Sequence, residues 1–235
     1  MKRAFIFFCF SVLIFWFVSK AHAVEIHDPW TLSDSEMNLC DIWNNVLNDN
    51  YTGSSQDLFN EYGIGLYDET GDAWWFETNG GIDLDIRYAG YNQTFGYMTA
   101  DGNKTILAEN ISPGIHEDLN ITFGIGHELL FAWFEQWNDQ GYWYSDSTLN
   151  SDGNDHFVAF EVPVEFYAAF DNPYDGNHRL FMLAFEDLSM GDRDYNDLVV
   201  FVNAVAPAPV PEPATMVLLG IGLIGLGGLR RKLIN

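Results

Sequence analysis

Cysteine is almost missing from this sequence of 235 residues, since it occurs only at positions 9 and 40. Cys9 lies in an N-terminal segment that we expect to be removed, so Cys40 remains alone and an intrachain disulfide is excluded. A fold without disulfides must be stabilised by a hydrophobic core or by bound ions. The remaining chain, about 185 residues, is long enough to bury a substantial core as one domain.

Basic residues are scarce as well. Between residues 24 and 209 only four Lys and Arg stand against 33 Asp and Glu, which gives a formal net charge of −29. Such a charge repels nucleic acid and anionic lipid, and it favours solubility and divalent cations. We therefore expect no nucleic-acid partner.

Short catalytic motifs are also lacking. The sequence has no G-x-S-x-G elbow, no Walker phosphate loop and no Cys/His pair at a useful spacing. Scattered acid pairs could serve a glycoside hydrolase, but so many carboxylates produce pairs at any spacing by chance. We predict a protein that is not an enzyme and has no catalytic residues, with a glycoside hydrolase as the less favoured alternative.

The N-terminus has the order of a secretory signal peptide. Lys2 and Arg3 are followed by an apolar run over 4–18 and by the small-x-small sequence Ala21-His22-Ala23. The apolar run is shorter than the about 20 residues of a membrane span. We predict a signal peptide over residues 1–23 and an exported body.

The C-terminus combines three parts in a fixed order. Pro211, Glu212 and Pro213 precede an apolar, glycine-rich run over 214–229, and Arg230-Arg231-Lys232 follows it. These parts resemble the PEP-CTERM sorting signal, which implies processing by exosortase, a membrane transpeptidase. Before processing, residues 211–235 would form a single-pass anchor with its basic tail in the cytoplasm. The exported body would then act in the cell envelope or the extracellular polysaccharide matrix.

The body between these ends has a β texture. Apolar periodicity predicts one helix over 33–51 within a helical segment 24–64, followed by a β domain over 65–203 and a linker over 204–210. About ten short strands separated by Gly, Asn and Asp turns predict an antiparallel, jelly-roll-like β-sandwich. The predicted strands cover 73–77, 82–89, 94–99, 105–108, 119–124, 129–134, 157–162, 166–170, 179–185 and 198–203.

The densest polar segment lies between the last two predicted strands. Crowded carboxylates repel one another unless a cation neutralises them, and Ca²⁺ takes about 6–8 oxygen ligands in flexible geometry. Asp192, Asp194 and Asn196 have the spacing with which an EF-hand loop begins. The segment lacks the glycine and the final glutamate of that loop, so Ca²⁺ would need other ligands nearby. The opposing interpretation is a set of turn caps with an Asp–Arg193 pair. The predicted metal ligands are Glu186, Asp187, Asp192, Asp194, Asn196 and Asp197. A second loop with Asp152 and Asp155 either completes the same site, if the strands bring the loops together, or forms a structured turn.

Part of the chain is similar to a known family. Phe185-Glu186-Asp187, the run 191–199 and the earlier loop 144–156 resemble a domain of unknown function found in exported bacterial proteins. The resemblance covers about residues 119–203. It implies a compact β domain on a secreted or surface protein and no established activity.

Aromatic residues are abundant, and some could contact sugar rings. Trp74, Trp75 and Trp143 lie in aromatic clusters, where exposed rings stack on carbohydrate and buried rings form core. In a strand one of the two adjacent tryptophans must face outward. A module that binds extracellular polysaccharide is therefore the alternative function.

Overall fold

The computed structural model describes residues 25–28, 37–64, 72–78, 81–116, 119–126, 129–137, 141–170, 179–187 and 193–208. The predicted signal peptide and the predicted sorting anchor lie outside these residues. None of the described helices is both long enough and apolar enough to span a bilayer.

Thirteen strands are described, and they form two antiparallel sheets. The strands are β1 (Gly63–Ile64), β2 (Trp75–Glu77), β3 (Ile82–Ala89), β4 (Gln93–Thr99), β5 (Lys104–Ile111), β6 (Gly114–Ile115), β7 (Asn120–Phe123), β8 (Leu130–Trp137), β9 (Tyr142–Tyr144), β10 (Phe157–Glu161), β11 (Leu180–Phe185), β12 (Leu198–Asn203) and β13 (Val205–Pro207). The seven-stranded sheet has the order β1-β10-β11-β12-β3-β6, and β7 also pairs with β3. The six-stranded sheet has the order β13-β2-β8-β4-β5, and β9 also pairs with β8. The predicted antiparallel β-sandwich is confirmed.

The alternation of side chains along the strands creates two cores. On β12, Leu198, Val200 and Val202 pack between the two sheets. Val199 and Phe201 face the opposite side, where they pack with the helices. Successive side chains of a strand point to opposite faces, so the seven-stranded sheet is buried on both faces here.

Two α-helices supply much of the outer core, the apolar layer on the face of the seven-stranded sheet that points away from the other sheet. Helix α1 (Leu39–Leu47) is capped by Asn38, whose side chain accepts from the Asp41 N–H, and it ends where Asn48 adopts a left-handed conformation with φ 53°. This turn ends the helix four residues before the predicted end at residue 51. Helix α2 (Ser55–Tyr62) has a capping box between Ser54 and Asp57.

The lone thiol of the body lies in this outer core. Cys40 lies in the first turn of α1, on the buried face of the helix, and forms no disulfide. Burial, followed by the negative charge of Asp28, raises the pKa of the thiol to about 12.

Two local predictions were wrong. The predicted strand over 166–170 lies instead mostly within a 3₁₀ helix, Val164–Ala169, which begins after Pro163 with a hydrogen bond from the Phe166 N–H to the Pro163 carbonyl. Proline holds φ near the value that a helical turn needs. A second 3₁₀ helix covers Ser147–Leu149.

The predicted linker over 204–210 begins with ordered structure. Ala204 has φ 57°, and its carbonyl accepts from the Thr78 N–H at 2.8 Å. This turn carries the chain from one sheet to the other, where β13 pairs with β2. Proline is tolerated in such a position because β13 lies at the edge of its sheet.

Candidate metal centre

The acidic residues after β11 and before β12 meet because these strands are antiparallel. Phe185 pairs with Leu198, so residues 186–187 and residue 197 emerge at the same end of the hairpin. The Asp197 N–H donates to the Phe185 carbonyl at 3.1 Å, and the Asp187 N–H donates to the Asp197 carboxylate at 2.8 Å. The backbone therefore fixes both carboxylates close together.

Glu186, Asp187 and Asp197 form one buried cluster. One carboxylate oxygen from each lies within 4.8 Å of the other two. The three residues are 1%, 3% and 5% exposed. Burial raises the pKa of Asp197 well above its usual range, and the charge of Asp187 raises it further. Such a group of carboxylates needs a proton or a cation to balance it.

Glu135, which sequence reasoning missed, is a further buried carboxyl on the other sheet that senses the charge of the cluster, although it lies outside the group of three whose oxygens approach within 4.8 Å of one another. It lies on β8 with 0% exposure, and neither of its carboxylate oxygens has a hydrogen-bond partner within the described part of the chain. Burial raises its pKa well above the usual range, and the charges of Asp187, Asp197 and Glu186 raise it further. A buried carboxyl without hydrogen bonds is costly, so its position requires a compensating partner.

A signal for Glu135 was present in the strand pattern. Phe131 and Trp133 face the core between the sheets, and residue 135 shares their face because the strand period is two. A single glutamate on an otherwise aromatic inward face is the anomaly that could have revealed it.

Gln93 on β4 also faces the cluster. It is 1% exposed, and its amide nitrogen donates to Asp187 Oδ2 at 2.6 Å. Its amide oxygen is buried and has no hydrogen-bond partner among the described residues. An amide oxygen is an ordinary ligand of Ca²⁺.

The side chains of Trp143 and His156 lie beside the carboxylate cluster. The Trp143 indole donates to the Asp187 carbonyl at 2.8 Å and stacks on the His156 ring at a centroid distance of 3.8 Å. His156 Nδ1 lies 2.8 Å from the Glu186 carbonyl, and Nε2 lies 3.0 Å from Asp152 Oδ2. Both ring nitrogens lie within hydrogen-bond distance of oxygen atoms. These contacts hold the backbone of the loop.

The other predicted ligands are placed differently. Asp194 is buried, and its charge contributes to the raised pKa of Asp197, but it is not part of the three-carboxylate group. The Asn196 side chain turns away and donates to the Met37 carbonyl at 2.9 Å. Asp192 lies outside the described residues.

The second predicted loop forms a structured turn beside the cluster. The Asp152 side chain accepts from the Asn154 N–H at 3.0 Å, and the Asp155 side chain accepts from the Phe157 N–H at 3.2 Å. Neither carboxylate belongs to the group formed by Glu186, Asp187 and Asp197. The structured-turn interpretation of this loop therefore describes the contacts of Asp152 and Asp155, and metal ligation by them stays a prediction.

The three candidate tryptophans do not form one platform. Trp75 is 0% exposed and packs between the sheets, because it occupies an inward position of β2. Its predicted contact with carbohydrate is wrong. Trp74 and Trp143 are half-buried, and the Trp74 indole donates to Asp146 at 2.7 Å. Sugar contact through these two rings stays a prediction.

Family comparisons identify both recognisable parts of the chain. The model of the PEP-CTERM protein-sorting motif matches residues 209–232. The chain therefore carries the sorting motif of PEP-CTERM exosortase substrates at its C-terminus. The motif marks it as exported, with a membrane-associated C-terminal signal. The model of a domain of unknown function, DUF4114, matches residues 94–205. The part of the chain that is similar to this family therefore begins at β4, earlier than the predicted start at residue 119. No curated relative matches the sequence of this PEP-CTERM protein.

Solved structures with a similar arrangement include three bacterial lectins. A high-affinity mannose-binding lectin of Ralstonia solanacearum has 14% identity and a TM-score of 0.33, covering 59% of this chain and 96% of its own. The Chromobacterium violaceum lectin CV2L, in complex with alpha-methyl-fucoside, has 12% identity and a TM-score of 0.32, covering 59% and 97%. The C-terminal domain of the Burkholderia cenocepacia lectin BC2L-C has 15% identity and a TM-score of 0.34, covering 59% and 97%. At these values the similarity carries no argument about a ligand.

Proposed function

We propose that this exported protein is a non-enzymatic β-sandwich of the cell envelope or extracellular matrix whose fold is stabilised by Ca²⁺. The observation that carries the proposal is Glu135, a fully buried carboxyl that has no hydrogen-bond partner among the described residues and whose pKa is raised further by the charges of three other buried carboxyls. A divalent cation among them would replace the missing partners and neutralise the mutual repulsion.

The chemistry of the ligands favours Ca²⁺ over other metals. The four carboxyls and the Gln93 amide offer only oxygen atoms, and neither a cysteine nor a histidine belongs to the described group. Oxygen ligands suit Ca²⁺ and Mg²⁺ rather than Zn²⁺, and a crowded, largely dehydrated site suits Ca²⁺ because Mg²⁺ keeps several waters.

The position of the ligands explains what the ion would do. Glu186, Asp187 and Asp197 lie at one end of the β11–β12 hairpin, whereas Gln93 and Glu135 lie on β4 and β8 of the other sheet. One ion would join the two sheets at this end of the sandwich. Calcium is scarce in the cytoplasm and plentiful outside, so export would supply the ion that completes folding.

Thermal unfolding of the full chain in detergent, with EDTA or with excess Ca²⁺, tests the proposal. Ca²⁺ at about 100-fold its Kd adds about 2.7 kcal/mol, which raises the midpoint by about 5–11 °C for a domain of this size. Mg²⁺ at equal concentration should give a smaller increase. A midpoint of thermal unfolding that Ca²⁺ leaves unchanged would contradict the proposal.

A matched pair of variants locates the effect. Glu135→Gln removes one carboxylate from the cluster and should abolish most of the Ca²⁺-dependent increase. Glu109→Gln changes an exposed residue of β5 and should retain it. Equal Ca²⁺ responses of these two variants would place the ion elsewhere.

A further inference from the structure

An open cavity of about 380 Å³ lies on the outer face of the seven-stranded sheet. We name it the β3 cleft and define it by Asp83, Asp85, Arg87, Asn120, Phe170 and Asn203, which are among its lining residues. Pockets that bind small ligands have volumes of about 300–1,000 Å³. The cleft is therefore large enough for a ligand of one or two rings.

The strand pattern explains why polar residues line this cleft. On β3, Ile82, Leu84 and Ile86 pack between the sheets. Asp83, Asp85 and Arg87 alternate with them and so face outward. The two α-helices and the 3₁₀ helix Val164–Ala169 pack with outward-facing residues of β10, β11 and β12, and the cleft lies beside that apolar layer.

The polar groups of the cleft are fixed before any ligand binds. Arg87 forms an ion pair with Asp85 at 2.5 Å. The Thr122 hydroxyl donates to Asp83 Oδ1 at 2.8 Å, and the Asp83 N–H donates to the Asn203 side chain at 3.1 Å. Arg87 Nε is buried and has no hydrogen-bond partner within the described residues. The cleft thus presents carboxylate acceptors and guanidinium donors side by side.

One wall of the cleft is apolar. Phe170, which follows the 3₁₀ helix Val164–Ala169, lies with its ring centroid 5.4 Å from the Arg87 guanidinium carbon. Its ring also packs on Phe201 at 5.2 Å. An aromatic wall next to paired donors and acceptors matches a ligand with one apolar face and a rim of hydroxyls.

We infer that the β3 cleft binds a neutral sugar unit of a polysaccharide. Two carboxylates and the −29 charge of the body oppose an anion, while the Arg87 guanidinium opposes a cation. Sugar hydroxyls both donate and accept, so they satisfy the carboxylates and the guanidinium together. The C–H face of the ring covers the Phe170 wall.

The cleft is separate from the metal centre. Asp197 precedes β12, and Asn203 ends it. At about 3.4 Å per residue the Asn203 end of the cleft lies about 20 Å from Asp197, while Arg87 lies nearer to it, beside Val199 and Val200. The cleft and the metal centre share no residue, so removing the cation tests a different property of the protein.

The full chain, purified in a detergent without a sugar headgroup and kept in excess Ca²⁺, can be tested on an array of neutral mono- and oligosaccharides. We expect binding of at least one neutral glycan, with its affinity confirmed by calorimetry. Asp83→Asn and Phe170→Ala should each weaken that binding about ten-fold or more, as expected for a lost charged hydrogen bond or ring contact. Asp101→Asn, in the exposed β4–β5 turn, should bind like the wild type.

Two results would overturn the inference. One is the absence of binding to every neutral glycan on the array. The other is glycan binding that Asp83→Asn, Phe170→Ala and Thr122→Val all leave unchanged, which would place the sugar elsewhere. Thr122 is exposed, and Thr122→Val keeps the side-chain volume, so this variant remains informative if another fails to fold. Neither result bears on Ca²⁺ stabilisation, which is measured by melting.

Discussion

Removal of the cation should reverse the usual dependence of stability on pH. Glu135 and Asp197 are buried among other carboxyls, and burial, followed by neighbouring negative charge, raises the pKa of both groups well above the usual range. In EDTA the folded protein therefore binds more protons than the unfolded chain. The free energy of unfolding should be highest below the ordinary carboxyl pKa, about 4, and should fall as the pH rises through the raised values.

The slope follows from the number of groups. Each group that is protonated in the folded state and ionised in the unfolded state changes the free energy of unfolding by about 1.4 kcal/mol per pH unit. Glu135 and Asp197 together give a decrease of about 2.7 kcal/mol per pH unit where both differ in protonation. Glu186 and Asp187 lie in the same cluster, and their charges contribute to the raised pKa of Glu135.

Calcium should invert this slope. A bound ion holds the carboxylates in their ionised form, so the folded state then binds fewer protons and loses stability as the pH falls. The two stability profiles should therefore approach each other at acid pH and diverge toward neutral pH. Their separation at neutral pH is the contribution of the ion.

Urea unfolding, followed by tryptophan fluorescence at a series of pH values in EDTA and in Ca²⁺, measures both slopes. Exposed carboxylates such as Asp57, whose pKa is lowered by hydrogen bonds from Ser54, act in the opposite direction. Glu135→Gln corrects for them, because only one group of the cluster changes. In EDTA this variant should lose about 1.4 kcal/mol per pH unit of the decrease. A variant with the wild-type slope would refute the assignment of Glu135 as a proton-binding member of the cluster.

Two further predictions concern the sandwich itself, and chemical denaturation measures both. Trp75→Ala should lower the free energy of unfolding by about 3–5 kcal/mol, because the ring is fully buried between the sheets; a loss no larger than that of Trp74→Ala, at a half-buried ring, would contradict this. Gly96→Ala should lower the free energy of unfolding by about 1–3 kcal/mol, because a Cβ there would collide with the Thr105 carbonyl and approach the Phe134 ring at 2.7 Å. The control is Gly81→Ala, where a Cβ meets open space. Equal losses for the two variants would show that β5 moves to make room for the added methyl group.

The strands that could be predicted were those whose pattern depends only on neighbours in sequence. Residues 82–89 and 198–203 alternate or run apolar between turn residues, and they form β3 and β12 with the predicted bounds. The segment 166–170 is equally aromatic, but Pro163 and its hydrogen bond to Phe166 favour a 3₁₀ helix. Aromatic content alone does not distinguish these outcomes.

The candidate metal centre could be predicted only in part for a similar reason. Glu186, Asp187 and Asp197 lie close in sequence, so their crowding is visible there. Glu135 joins them only because the two sheets pack face to face, and Gln93 reaches Asp187 across 94 positions. Ligands contributed by the opposite sheet depend on packing that the sequence pattern does not specify.

The burial of Cys40 has a consequence for a protein that leaves the cytoplasm. Thiolates, not thiols, attack disulfides, and with its pKa raised to about 12 only about one Cys40 side chain in 10⁵ is ionised near pH 7. Exposed thiols outside the cell become linked to other proteins or oxidised further. The burial of Cys40 in the core withholds it from both reactions, so each copy can mature and persist as an uncrosslinked chain.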